Sequence, residues 1–326
     1  MRENPPTPEL PGNPVLSRNT RWLHYMPDVV TKPQLTPLLS NETLARVERM
    51  RLRPNRRLTN RTRGEHSVGT GGASIDFADY RDYVAGDDIR YVDWNIFARL
   101  QRPYLKLYSH EEELHVAVLL DSSLSMQSEE KFERARQLAA AFSTMALRGT
   151  ERVSLFAGGD SSGNPAILQN CSGRTATHKV FEFLKACEIH GSATVDDLIA
   201  SAIRIHRGRG VAIILSDFLT AGDISRSFNL LHSAGLEIFA VQILGPSEVE
   251  PDLTGDVRLV DCETGGSLDV TSARDLLDLY HEHRVAQQAY LASQCRRRNG
   301  RFESISSAET IEAVLFEKLL RRGWIR

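Results

Sequence analysis

The sequence predicts an α/β fold: a doubly wound, mostly parallel sheet covered by helices on both faces, with an amino-terminal extension. Three observations predict it. Three apolar runs, Val116–Leu120, Val211–Ser216 and Glu237–Leu244, are short, rich in branched residues and almost uninterrupted, the pattern of strands buried on both faces. Helical patterns at Lys131–Leu147, Thr194–Arg207 and Ile224–Ser233 alternate with them, and that alternation implies parallel pairing through helical crossovers. Two of the runs end abruptly in an acid, Asp121 and Asp217, at the carboxyl edge where open α/β sheets form their ligand sites.

In chain order, residues 1–37 hold eight prolines and predict an extended or disordered start with a small apolar group, Trp22, Leu23, Tyr25 and Met26, able to dock on the body. Ser40 or Asn41 caps a short helix running to Met50, with Leu44 and Val47 on one face. From Arg46 to Arg63 the chain carries eight arginines. They suit either an anion-docking strip or a solvated helix end, and the absence of interleaved aromatics favours the second. Gly64–Gly72 lacks the order of a phosphate loop. Asp79 to Arg99 mixes acids and arginines with Tyr80, Tyr83, Tyr91, Trp94 and Phe97. It reads as a salt-bridged, aromatic-pinned segment, with an acidic catalytic cluster as the alternative.

Further on, Phe132, Ala135, Leu138, Ala139, Phe142 and Met145 form a helical stripe that belongs to the core. Arg152–Ala157 predicts a strand, Ala166–Gln169 a brief hairpin-type strand, and Thr175–Ala186 a helix with Val180, Phe181 and Leu184 inward. Asp256–Val260 and Ser267–Val270 predict edge strands around the turn Thr264-Gly265-Gly266. Two long helices, Ala273–Arg298 and Ala308–Arg322, are expected to finish the chain.

The chemistry concentrates at Asp121-Ser122-Ser123-Leu124-Ser125. Alternation in a tight loop lets the oxygens of Asp121, Ser123 and Ser125 converge. One carboxylate and two hydroxyls make a hard, oxygen-only set suited to Mg²⁺ or Mn²⁺ rather than Zn²⁺. The same residue types also suit a plain helix cap. If both apolar runs are parallel strands, Asp121 and Asp217 share one sheet edge, and Thr194 opens a helix that can face them. Two carboxylates roughly 4 Å apart repel by about 4 kcal/mol at an effective dielectric of ~20, a cost that a divalent cation removes.

DSSLS, then GSAT, then ILSD resembles the metal-ion-dependent adhesion site of von Willebrand factor type A domains. The resemblance implies that Asp121, Ser123, Ser125, Thr194 and Asp217 surround one Mg²⁺ (or Mn²⁺). The serines would bind it directly and the others directly or through water, leaving a position open to a partner's carboxylate. A second stretch, RDYVAGDDIRYVDWNIFARLQRPYLKLY leading into the DSSLS strand, is similar to the family called domain of unknown function 58, associated with MoxR-type AAA+ ATPases. That resemblance implies a MoxR-type ATPase, or a client protein it remodels, as the source of an Asp or Glu carboxylate. On this reading the chain divides into a proline- and arginine-rich extension (1–63), a family-specific segment packed on the main domain (64–114), and a von Willebrand factor type A-like, Rossmann-like domain (115–326).

A net charge of −2 over 326 residues gives no electrostatic case for nucleic acid. Four cysteines without paired short spacing show neither a zinc pattern nor a disulfide framework, and a reducing compartment is the default. No apolar stretch nears the ~20 residues of a membrane span, and MRENPPTPEL lacks a signal-peptide core, so a cytoplasmic protein is expected. A DxDx[TV] phosphatase needs an acid two residues after the first aspartate, where Ser123 stands. No G-x-S-x-G elbow occurs, and His281 and His283, two apart on a helix, splay away from each other. A non-enzymatic, metal-dependent binding module is the expectation, with a metal-dependent hydrolase using the Asp79–Asp93 acids as the alternative.

Overall fold

The structure is a computed structural model that describes residues 34–55, 59–60, 75–111, 114–149, 151–158, 164–191, 194–219, 223–251, 257–260, 265–270 and 273–326. All of these but Gln34 belong to one unit, Leu35–Arg326. Its elements are α1 (Asn41–Val47), β1 (Thr59–Asn60), β2 (Ile75–Asp82), α2 (Trp94–Leu100), β3 (Tyr104–Glu111), β4 (His115–Leu120), α3 (Lys131–Arg148), β5 (Arg152–Ala157), β6 (Ala166–Cys171), α4 (Ala176–Ala186) and α5 (Val195–Ile205). They continue with β7 (Gly210–Ser216), α6 (Ile224–Ser233), β8 (Leu236–Leu244), α7 (Pro246–Val249), β9 (Val257–Val260), β10 (Ser267–Val270), α8 (Ala273–Arg297), β11 (Arg301–Ser306) and a π-helix, Ala313–Leu319.

The central sheet runs β11-β8-β7-β4-β5-β6, parallel except for β6, which returns antiparallel to β5. This is the doubly wound α/β fold that the apolar runs predict. Every residue of β4, β7 and β8 is buried, which explains why these strands read as continuous hydrophobic runs rather than alternating ones. Alternation survives in where the side chains go. Val116, Val118 and Leu120 pack with Phe142 and Met145 of α3 and Val180 of α4 on one face. Ala117 and Leu119 pack with Leu198 of α5, Phe228 of α6 and Leu291 of α8 on the other. Each such side chain, fully removed from water, contributes about 1.5–3 kcal/mol.

The chain leaves β4 toward β5 and later adds β7 on the opposite flank of β4. The direction of winding reverses at β4, and its carboxyl end is therefore the topological switch point where such sheets open a crevice. Gly210 lets β7 close on β4: a Cβ there would lie 2.1 Å from the His115 carbonyl oxygen.

Three local expectations need correction. The last helical stretch is π-wound over Ala313–Leu319, and Arg301–Ser306, which lies between the two expected helices, is a strand paired in parallel with β8. β9 and β10 pair with each other as a separate two-stranded sheet instead of extending the edge of the main one. The 79–99 segment belongs to an antiparallel unit in which β3 lies between β1 and β2. Its aromatics are not buried pins, since Trp94 is 59% exposed and Tyr80 39%. Two salt bridges form within the segment, Arg81–Asp87 and Arg90–Asp88, and Lys106 of β3 pairs with Asp93.

The segment before β1 joins the main core through Leu38, Leu39, Leu44, Val47 and Leu52. Ser40 caps α1 as the sequence predicts. The arginines of the basic strip that fall within the described residues include Arg46, stacked on Phe316, and Arg51, donating to the carbonyls of Glu48 and Met50. Arg56, Arg57, Arg61 and Arg63, the apolar group Trp22–Met26 and the glycine-bearing loop at 64–72 lie outside the described residues.

Candidate metal site

Asp121 leaves the carboxyl end of β4 1% exposed. Its backbone N–H still donates to the Leu215 carbonyl of β7, 3.0 Å, so the ladder fixes where the carboxylate starts. One carboxylate oxygen accepts the Ser123 backbone N–H at 2.9 Å, and the other accepts the Ser216 hydroxyl. Ser216 is the last residue of β7 and directly precedes Asp217. Asp121 and Asp217 thus lie at one sheet edge, as the two apolar runs imply. Burial, with the negative charge of Asp217 adding to it, pushes the Asp121 carboxyl above its ordinary value, against the two donors that hold it down.

Ser123 and Ser125 face each other with hydroxyl oxygens 3.0 Å apart, and both residues are 9% exposed. Neighbouring ligands of an octahedral Mg²⁺, at ~2.1 Å from the ion, stand ~3.0 Å apart. The hydroxyl pair therefore already has the spacing of two adjacent ligands. Among the described residues no group of three or more His, Cys, Asp or Glu could hold a metal ion, so a cation here has to draw on hydroxyls. Two carboxylates and two hydroxyls at one edge fit a hard, oxygen-liganded divalent ion.

Two neighbouring loops hold this one in place. The Gly191 N–H donates to the Ser122 carbonyl at 3.2 Å. Gly191 has φ +65°, and a Cβ there would press to 2.7 Å from Leu124 Cγ, so both backbone and space require glycine. Gly158, after β5, leaves the room that the Ser122 side chain fills, since a Cβ would fall 1.4 Å from Ser122 Oγ. Thr194 follows three residues after Gly191. Its backbone N–H donates to the Asp197 carboxylate at 3.0 Å while the Asp197 N–H donates to its hydroxyl, closing a capping box at the start of α5, and the hydroxyl itself donates to Asp197 at 2.8 Å. The structure brings Asp121, Ser123, Ser125 and Asp217 together. Thr194 lies on the adjoining loop with its hydroxyl engaged in its own helix cap, where one oxygen lone pair stays free.

Backbone strain flanks both aspartates. Phe218, just after Asp217, has φ 54°, and Glu129 and Glu130, just after the serine loop, have φ 52° and 57°. Left-handed conformations of non-glycine residues cost ~1–3 kcal/mol each and gather at functional sites. Here they are held by the Gln287 amide on the Phe218 carbonyl (2.7 Å) and the Ser307 hydroxyl on the Glu129 carbonyl (2.6 Å).

Sequence reasoning missed three members of the site: Ser216, Lys131 and Glu248. Lys131, the first residue of α3, is fully buried and donates to Asp217 at 2.9 Å and to Glu248 at 2.5 Å. Burial works against its charge, but the two carboxylates outweigh it and its pKa is raised. One sequence signal existed, because a cation in the first turn of a helix opposes the macrodipole and calls for an anionic partner.

Elsewhere the candidates for chemistry are committed to structure. Asp93 caps α2 and pairs with Lys106, which holds its carboxyl below the ordinary value. Burial pushes the Cys187 and Cys295 thiols up to about 12, away from thiolate reactivity. Ser154 and His115 touch at 2.9 Å, but both are buried and His115 opens β4 at the edge opposite Asp121.

Residues 79–290 match the family model described as protein of unknown function DUF58. The chain belongs to the DUF58 family. Among its relatives is the uncharacterized protein Rv1480 of Mycobacterium tuberculosis, 29% identical over 243 residues, which cover 72% of this chain and 75% of that one. The uncharacterized protein MAV169 of Mycobacterium avium is 33% identical over 123 residues, 37% of this chain and 72% of that one. Solved structures similar to this DUF58 chain include BatB from Bacteroides thetaiotaomicron, with TM-score 0.37 and 12% identity over 64% of this chain and 98% of that one. An aerotolerance-related membrane protein from Bacteroides fragilis has TM-score 0.37 and 15% identity over 59% and 91%. At those scores the likeness carries no functional inference. In this DUF58 chain, no helix among the described residues is long and apolar enough to cross a membrane.

Proposed function

We propose that this protein is a non-enzymatic binding module that presents a Mg²⁺ (or Mn²⁺) ion to a carboxylate on another protein. One observation supports this reading above the rest: Asp121 and the Ser123–Ser125 hydroxyl pair stand on one loop at the switch point of the sheet, with Asp217 at the end of the neighbouring strand near enough for its charge to act on Asp121, and among the described residues no nucleophile with its base stands beside them. When bound, the ion would supply a Lewis-acidic attachment point with a position left for an outside oxygen. The chain's own residues do the rest. Asp121 anchors, its carboxylate oriented by Ser123 N–H and the Ser216 hydroxyl. The serines add neutral oxygens that leave the ion's charge largely uncompensated. Asp217 supplies the second negative charge, held by Lys131 and the Leu219 N–H. Thr194 is assigned to the same shell by the family resemblance.

The partner is a MoxR-type AAA+ ATPase, or a client it remodels, in chaperone-like assembly or maturation of other proteins. This part rests on the family resemblance alone. The alternative, hydrolysis by the Asp79–Asp93 acids, loses support from the ion pairs of Asp87, Asp88 and Asp93 and from the helix cap that Asp93 makes.

The test is an affinity capture from extract of the source cell with excess Mg²⁺, with chelator, and with Asp121→Ala. The expected result is an AAA+ ATPase, identified by mass spectrometry, in the first condition alone. Equal recovery in all three would refute a metal-mediated contact, and a hydrolytic activity abolished by Asp93→Ala but not by Asp121→Ala would favour the alternative.

A further inference from the structure

Lys131 is the strongest feature that the proposed metal contact does not use. It is 0% exposed at the head of α3 and spans two carboxylates, Asp217 (2.9 Å) and Glu248 (2.5 Å). The other oxygen of Glu248 accepts the Gly245 N–H at 2.7 Å, and its backbone carbonyl accepts the Tyr280 hydroxyl of α8 at 2.6 Å. The ammonium is therefore clamped between two carboxylates, buried from water. A fixed positive charge sits within hydrogen-bond distance of a carboxylate assigned to the metal shell.

We propose that Lys131 is a built-in competing cation that keeps divalent-ion binding at Asp121 and Asp217 weak and exchangeable, with Glu248 as its counter-charge. Two effects act in one direction. A fixed ammonium repels an incoming dication across a partly desolvated site, where charges are poorly screened. It also satisfies Asp217 before any ion arrives, removing much of the repulsion between Asp121 and Asp217 that an ion would otherwise relieve. Glu248 acts with the opposite sign, since its negative charge offsets that of Lys131 and lowers the field opposing the ion. Lys131 and Glu248 are positioning residues in this scheme and need not touch the ion.

This inference rests on the reading of the site as a divalent-cation site, and the experiment separates the two. Mn²⁺ is titrated into the full chain by calorimetry for the wild type, Asp121→Ala, Lys131→Met and Glu248→Gln. Glutamine at 248 retains an oxygen for the Gly245 N–H, and Glu248 lies nearer the surface than Lys131 (side chains 22% and 0% exposed), so this variant is expected to fold even if Lys131→Met does not. Lys131→Met is expected to tighten Mn²⁺ at least tenfold and Glu248→Gln to weaken it at least threefold. Opposite shifts are the signature, because loss of a merely structural clamp would weaken binding in both variants or leave it alone. If the wild type binds and Asp121→Ala does not, but Glu248→Gln binds as the wild type does or more tightly, the role of Lys131 is refuted while the site stands. If the wild type takes up no Mn²⁺, both readings fall.

Discussion

Trp324→Ala is expected to destabilise the protein by about 3–5 kcal/mol, the range for removing a large buried aromatic side chain. Trp324 is 2% exposed two residues before Arg326, its ring edge-on to Phe239 of β8 with centroids 4.9 Å apart. Its carbonyl accepts the Arg53 N–H at 2.9 Å, and Arg51 and Arg326 exchange two backbone hydrogen bonds of 2.9 and 3.0 Å. The tail thus closes the main core and clamps the chain ahead of β1 in one contact. Urea unfolding followed by circular dichroism reads the loss directly. A change below ~1 kcal/mol would mean that the tail does not seal the core as described.

Protonation of one buried histidine pair should weaken the fold. The His206 Nε2–H donates to the Gly208 carbonyl at 3.0 Å, so its Nδ1 must accept from the His115 Nδ1–H at 2.8 Å. The His115 Nε2 is then left to accept the Ser154 hydroxyl at 2.9 Å, whose oxygen takes the Asn170 N–H at 3.2 Å. This is the arrangement that two neutral rings make, and two protonated rings would set N–H against N–H. Burial, then the charges of His206 and Arg152, lower His115 to about 4, and burial lowers His206 as well. An unfolded histidine takes its proton near 6.5. Between those values the unfolded state binds protons that the native state refuses, so stability falls as pH drops from about 6.5 toward 4. For His115 alone the loss from pH 7 to pH 5 is about 2 kcal/mol, from 1.36 kcal/mol per pH unit. Urea midpoints at the two pH values measure it, and His115→Phe should remove the His115 share of the difference. Burial raises Glu151 to about 7 and acts in the opposite sense in both proteins, so a pH 5 to pH 7 difference that is the same in wild type and His115→Phe would contradict the neutral-pair assignment.

The legible parts of the fold are those whose burial is extreme. β4, β7 and β8 announce themselves because no residue in them faces water, and Phe132 to Met145 because one face of α3 meets a sheet. β11 was illegible: RFESIS is two-thirds polar, lies at the sheet edge with only Glu303 and Ile305 buried, and follows a long helix without an apolar run of its own. β2 and β3 hid for a related reason: IDFADYRD and YLKLYSHE mix polar and apolar residues with no continuous apolar run, and they pair with each other in a separate antiparallel sheet.

The site was legible where ligand chemistry is local. Asp121, Ser123 and Ser125 stand on one loop, and the end of β7 delivers Asp217 to the same edge. Lys131 was read as an ordinary helix residue because nothing in the local pattern says that Asp217 and Glu248, 86 and 117 positions away, fold over its head. Ser216 was hidden inside an apolar run whose last residue happens to turn its hydroxyl toward Asp121.

The most direct measurement of the central claim is the stoichiometry of divalent-ion binding to the full chain. Mg²⁺ and Mn²⁺ titrations of the wild type should each show one site per chain, lost in Asp121→Ala and at least tenfold weaker in Ser123→Ala. Binding that survives Asp121→Ala unchanged, or no binding in the wild type, would contradict the assignment of the β4 loop as the seat of the ion.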